Sequence, residues 1–146
     1  MNVRALSVLL AAMCLGGCAE DHGPAISITD VRILAPMPGS SAGVAYFRIE
    51  NRGETAITLD HIDSPQYEDV QMHETTIEEG VSRMRPIERV LVNPSSSVDF
   101  VPGGKHVMMM RPSMNVTPGS LIELEFHYDG GLLIVNATMQ NRMPDE

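Results

Sequence analysis

The apolar runs of this chain are short, and turn-forming residues interrupt every one of them. Pro36-Met37-Pro38-Gly39-Ser40-Ser41, Asn51-Arg52-Gly53, Glu79-Gly80, Asn93-Pro94-Ser95, Pro102-Gly103-Gly104, Pro118-Gly119 and Asp129-Gly130-Gly131 each carry the proline, glycine or asparagine of a tight reversal. No window between them has a 3.6-residue amphipathic period, which argues against a helical architecture. The runs instead predict strands over Ile26–Leu34, Gly43–Glu50, Ala56–Ile62, Asp69–Thr76, Val81–Pro86, Val98–Phe100, Lys105–Arg111, Leu121–Tyr128 and Leu132–Met139. Ile122, Leu124 and Phe126 alternate with Leu121, Glu123 and Glu125, the signature of a sheet with one dry and one wet face. Many short strands with frequent turns predict an all-β fold, a two-sheet Greek-key β-sandwich in a single domain.

The N-terminal residues have a different character. Arg4 precedes an apolar stretch from Ala5 to Leu15, too short for a membrane-spanning helix and suited to a signal peptide. Leu15-Gly16-Gly17-Cys18 resembles a bacterial lipobox, which implies a lipoprotein-type signal over 1–17 and lipidation of Cys18. Ordinary signal cleavage would instead leave a soluble protein with an exposed thiol, a liability in an oxidising compartment. Residues 18–25 then form the lipidated end and a short tether containing His22, 26–140 the sandwich, and 141–146 a tail. The expected location is the bacterial periplasm, with membrane contact only through the lipid. With Cys14 removed and Cys18 lipidated, no disulfide is available, and the absence of a thiolate excludes a blue-copper centre.

The formal charge of −9 becomes −10 once Arg4 is lost, and such a surface repels phosphate backbones, so nucleic acid is an unfavoured partner.

Chemistry concentrates in four residues. Val70–Thr76 and Val81–Pro86 read as the arms of a hairpin. With Glu78-Glu79 as the loop, His73 lies directly opposite Met84; with Glu79-Gly80 the two are diagonal neighbours on one face. Either register brings them within reach of a shared ion. His106 and Met108 are two apart on a strand and share a face, just after the Pro102-Gly103-Gly104 turn. Met110 continues that face as an auxiliary donor or apolar wall, while Met109 and Met72 point the other way. Imidazole and thioether form a soft, uncharged donor set that selects copper(I) over oxygen-loving ions. A lone histidine on a strand is more often structural than a ligand, and strand methionines are more often core. Four such side chains on two strand pairs shift that balance. His61 and His127 lack partners at ligand spacing and are read as structural; Met114 is left open as a donor.

The spacing His73-x10-Met84-x21-His106-x-Met108 resembles the signature of the PCuAC periplasmic copper chaperone family. Tyr46-Phe47-Arg48-Ile49-Glu50-Asn51, Met72-His73-Glu74-Thr75 and Pro102-Gly103-Gly104-Lys105-His106-Val107-Met108 resemble further family segments, whereas Asn93-Pro94-Ser95-Ser96-Ser97 and Arg111-Pro112-Ser113-Met114 depart from them. The resemblance implies a cupredoxin-like sandwich, one Cu(I) held by His73, Met84, His106 and Met108, and delivery to a cytochrome oxidase copper site, directly or through a Sco-type protein. A monomeric, non-enzymatic carrier is expected, since no nucleophile–base pair or carboxylate dyad stands out. The competing readings are an envelope copper buffer and a lipid-anchored structural sandwich in which the motif is accidental.

Overall fold

The computed structural model describes residues 25–142. The signal segment 1–17, Cys18, His22 and most of the tail lie outside the described residues. Every regular element among those described is a strand: β1 (Ile26–Leu34), β2 (Gly43–Asn51), β3 (Ile57–Asp63), β4 (Tyr67–Glu78), β5 (Val81–Pro86), β6 (Val90–Val92), β7 (Ser96–Phe100), β8 (Lys105–Pro112), β9 (Leu121–Tyr128) and β10 (Gly131–Gln140).

The strands follow the order β5-β4-β8-β7-β2-β1-β10-β9-β3-β6, with β8 also pairing directly with β2. β2 is shared: Phe47–Asn51 pair with β7, and Gly43–Ala45 pair with β8. The halves on either side of β1 and β10 are joined by a short parallel pairing, Ile33 with Met139 and Leu34 with Gln140. That seam lets the sheet fold over itself as the two layers of a sandwich.

Alternation decides what each layer buries. Ala45, Phe47, Ile49, Met72, Val107 and Met109 turn inward from the first layer, and Leu59, Ile62, Ile122, Leu124 and Phe126 from the second. Full burial of such a side chain contributes roughly 1.5–3 kcal/mol each, which makes this interior the main source of stability in a domain without disulfides. Phe47 ties the layers together, stacking on Phe100 at 4.2 Å and meeting Phe126 edge-on at 4.9 Å. The alternation expected at Leu121–Phe126 is observed: Ile122, Leu124 and Phe126 are buried and Leu121 is exposed.

Buried polarity is satisfied where it matters for closure. Asn51 donates from Nδ2 to the carbonyls of Thr55 (2.8 Å) and Val92 (3.1 Å), and its Oδ1 accepts from the Gly53 amide (3.0 Å). One side chain thus fixes the β2–β3 turn and secures the short strand β6, which was not expected from the sequence.

Candidate metal centre

The β4–β5 hairpin closes through Glu79-Gly80, with Glu78 paired to Val81. Both loop residues have positive φ, 54° and 80°, as a two-residue turn matched to strand twist requires. Of the two registers open in the sequence, this is the diagonal one: Thr75 stands opposite Met84, and His73 opposite Pro86. On its other side β4 pairs with β8, placing His73 directly across from His106 and Gln71 across from Met108. Because Met72, Val107 and Met109 point into the core, His73, His106 and Met108 occupy the opposite, outward face. Met108 also pairs with Val44 of β2.

Loop 35–42 folds over this face and makes it concave. Met37, Ser40 and Ala42 from the loop, Val44 and Tyr46 from β2, Thr75 and Met84 from the ribbon, Gly103, His106 and Met108 around β8, and Arg142 enclose a cavity of about 300 Å³. His73 is not among the residues lining the cavity; its ring centroid lies 5.9 Å from that of His106, which is. His106 is 5% exposed and Met84 54%, so the site grades from a buried floor to an open rim.

Hydrogen bonds set the tautomer of both rings. The tight turn Val101–Lys105 places the Gly104 carbonyl 3.0 Å from His106 Nδ1, which must donate to it, so the lone pair of His106 sits on Nε2. On β4, Gln71 donates from Nε2 to Asp69 Oδ1 at 3.0 Å, which turns Gln71 Oε1 toward His73. His73 Nε2 lies 3.1 Å from that oxygen and donates to it, leaving the lone pair on Nδ1. The two remaining nitrogens, His73 Nδ1 and His106 Nε2, are buried and have no hydrogen-bond partner. Such orphaned acceptors are costly unless something electrophilic meets them. Burial, and secondarily the neighbouring His106, pushes the proton affinity of His73 below the ordinary imidazole value, against a smaller opposing pull from Asp69.

The four residues singled out in the sequence therefore share one face. Gln71, Asp69 and the Gly104 carbonyl were not anticipated; the i, i+2, i+4 spacing of Asp69, Gln71 and His73 on one strand face was the available signal. Met110 continues the face but does not line the cavity, and Met114 is exposed. Met72 and Met109 are core residues, as expected. His61 and His127, expected to be structural for lack of partners at ligand spacing, stand opposite one another on β3 and β9.

Comparisons with known proteins bear on the fold. The copper-bound PCuAC domain of PmoF2 superposes with a TM-score of 0.67 at 21% identity, covering 82% of this chain and 95% of that domain. The Cu(I)-bound solution structure of DR1885 from Deinococcus radiodurans gives 0.69 at 18% identity, covering 88% and 87%. These likenesses establish the PCuAC, cupredoxin-like sandwich as the fold. An uncharacterized protein, RP573 of Rickettsia prowazekii (strain Madrid E), is 27% identical over 106 residues, an alignment spanning 71% of this chain and 59% of that protein. A family model described as "Putative lipoprotein LpqE-like" matches residues 26–138, from the first strand to the last. With the match running through the whole sandwich, the chain belongs to the LpqE-like family.

Proposed function

We propose that this protein carries one copper(I) ion as cargo, held by His73 Nδ1, His106 Nε2 and the thioethers of Met84 and Met108. The observation that carries the reading is the cross-strand histidine pair whose two unprotonated nitrogens are buried and unpartnered beside two methionines. The donor set suits the ion: thioethers add no charge and prefer soft cations, and neutral imidazoles complete the shell. Copper bound by PmoF2 and DR1885 domains of the same fold supports it.

The arrangement also suits release. Both imidazoles are oriented by neighbouring groups, so the floor is preorganised for the ion. Met84 lies on β5, whose residues are all exposed, and it is the donor an incoming protein ligand can displace first. Transfer then proceeds by ligand exchange at the rim, without the copper passing through water. The chain is read as a non-enzymatic, exported, monomeric chaperone anchored through Cys18, and its acceptor as a cytochrome oxidase subunit II copper site or a Sco-type protein. The lipoprotein description of its family supports the anchor.

Anaerobic titration of the purified protein with copper(I) against a competing chelator tests the binding, and X-ray absorption tests the donors. One equivalent with two nitrogen and two sulfur neighbours is expected. A protein that never competes for copper(I), or a spectrum without sulfur neighbours, overturns the reading. Mixing the loaded protein with a soluble oxidase subunit II or Sco-type domain then separates delivery from buffering, since a buffer retains its copper.

A further inference from the structure

We propose that His61, Asp63 and His127 form a second metal site, for a divalent borderline cation of the zinc(II) or copper(II) kind, on the outer face of the β3–β9 ladder, where their donor atoms all lie within 4.8 Å of one another and Glu125 flanks His127. The assignment is independent of the copper(I) site, which lies on the β4–β8 ladder. It starts from an irregularity in the strand. Leu59 pairs with Tyr128 and His61 with His127, so β3 advances two residues while β9 advances one. Without that bulge His61 would share the inward parity of Leu59, which is fully buried. The extra residue turns it outward, where it joins Asp63, and bulges that re-aim a side chain are features of functional sites.

The result is a compact donor cluster. His61 stacks on His127 with ring centroids 4.2 Å apart and 8° between planes. Asp63 Oδ2 lies 3.5 Å from His61 Nε2 and 3.5 Å from His127 Nε2, and Glu125 Oε2 lies 3.7 Å from His127 Nε2. These separations are too long for good hydrogen bonds. They come close to the edge of a tetrahedron built on zinc–ligand bonds of about 2.0–2.1 Å, which is about 3.3–3.4 Å. His127 Nε2 is itself buried and has no hydrogen-bond partner. With the ring planes nearly parallel and their centroids 4.2 Å apart, the exposed His61 ring must rotate for both imidazoles to meet one ion.

Charge and softness name the ion. One carboxylate and two imidazoles, with the Glu125 carboxylate close by, suit a divalent cation, while no sulfur is present to favour copper(I). Calcium would want six to eight oxygens, which this cluster does not supply. Among first-row divalent ions, nitrogen-containing sites bind copper(II) and zinc(II) well, and the stability order places copper(II) first.

The test is calorimetric titration of the purified full chain with zinc(II), in the wild type, Asp63→Asn, His127→Gln and His106→Ala. Asp63 is well exposed, so Asp63→Asn leaves the fold intact and guards against a misfolding artefact at the more buried His127. The expected result is a zinc affinity lowered by at least about tenfold in Asp63→Asn and His127→Gln, since even second-layer partners of metal ligands contribute that much. In the same two variants copper(I) retention stays at the wild-type level, and in His106→Ala zinc uptake is unchanged. Paramagnetic resonance of the copper(II)-loaded protein should show two coupled nitrogens, falling to one in His61→Gln. Zinc binding that is absent from the wild type, or lost in His106→Ala yet retained in His127→Gln, overturns the proposal. Loss of copper(I) binding in the wild type with zinc binding intact would strike the first site alone.

Discussion

His73 and His106 face each other across the β4–β8 ladder, and each ring gives one nitrogen to a protein oxygen and leaves the other buried and bare. The donor nitrogens are therefore selected by the protein before any ion arrives. Gln71 does this for His73, held in turn by Asp69. Gln71→Ala removes the acceptor without touching the ion, and should weaken copper(I) binding by roughly 10–100-fold. Chelator competition measures it. An unchanged affinity would mean that the ring is oriented by packing alone.

Met84 and Met108 differ in burial, and the difference predicts different consequences for the same substitution. Leucine replaces methionine at nearly constant volume, so either variant should cost less than about 1.5 kcal/mol of stability. Met84→Leu, on the exposed ribbon, should leave the midpoint of denaturation unmoved while copper(I) affinity falls and transfer to an acceptor slows. Met108→Leu, deeper in the cavity, should reduce affinity further. If both variants kept wild-type copper retention, the thioethers would be packing and not ligands.

The sequence carried much of this site because strand parity is strict. Residues two apart share a face, so His106 with Met108 follows from spacing, and a ten-residue gap across a hairpin brings His73 to Met84 in either register. What it left open was the register, which the backbone of Glu79 and Gly80 decides through two positive φ angles. What it hid was non-local. The cavity wall comes from loop 35–42 and from Arg142, residues whose types say nothing about where they fold. Strand β6 is three residues long and is held by Asn51, too short to register as a pattern. The pairing of His61 with His127 depends on a bulge that shifts parity by one, which periodicity misreads as two separate faces.

Acid should act on the copper-free protein through His73. Burial lowers its folded-state proton affinity from the ordinary value of 6.5, with His106 adding to the shift. Below that value the unfolded chain takes up a proton that the folded chain resists, so the unfolded state binds more protons and stability falls as pH drops through that window. Above it the contribution is complete. Denaturant titrations of the wild type and His73→Gln from about pH 7.5 to about pH 5.5 should diverge below about pH 6.5, with the variant losing less. Copper(I) should stay bound to a lower pH than an exposed imidazole would allow. Parallel curves for the two proteins would remove His73 from the account.

Phe47 connects the site to the core. It sits on β2 and is buried, stacked on Phe100 of its own layer and edge-on to Phe126 of the facing layer. From the same strand Val44 and Tyr46 point the other way and form part of the cavity wall. Phe47→Ala should cost roughly 3–5 kcal/mol, from lost transfer energy and from a void between two sheets that cannot close over it. A domain of this size has only about 5–15 kcal/mol to lose, so the variant should be marginal at growth temperature. With copper(I) held by the proposed site of the folded form, saturating copper should restore part of the lost midpoint, by an amount that grows with the free ion concentration. A variant as stable as the wild type would place the inter-sheet contact elsewhere. A destabilised variant that copper cannot rescue would show that the wall of the cavity, and not only the core, had collapsed with the ring.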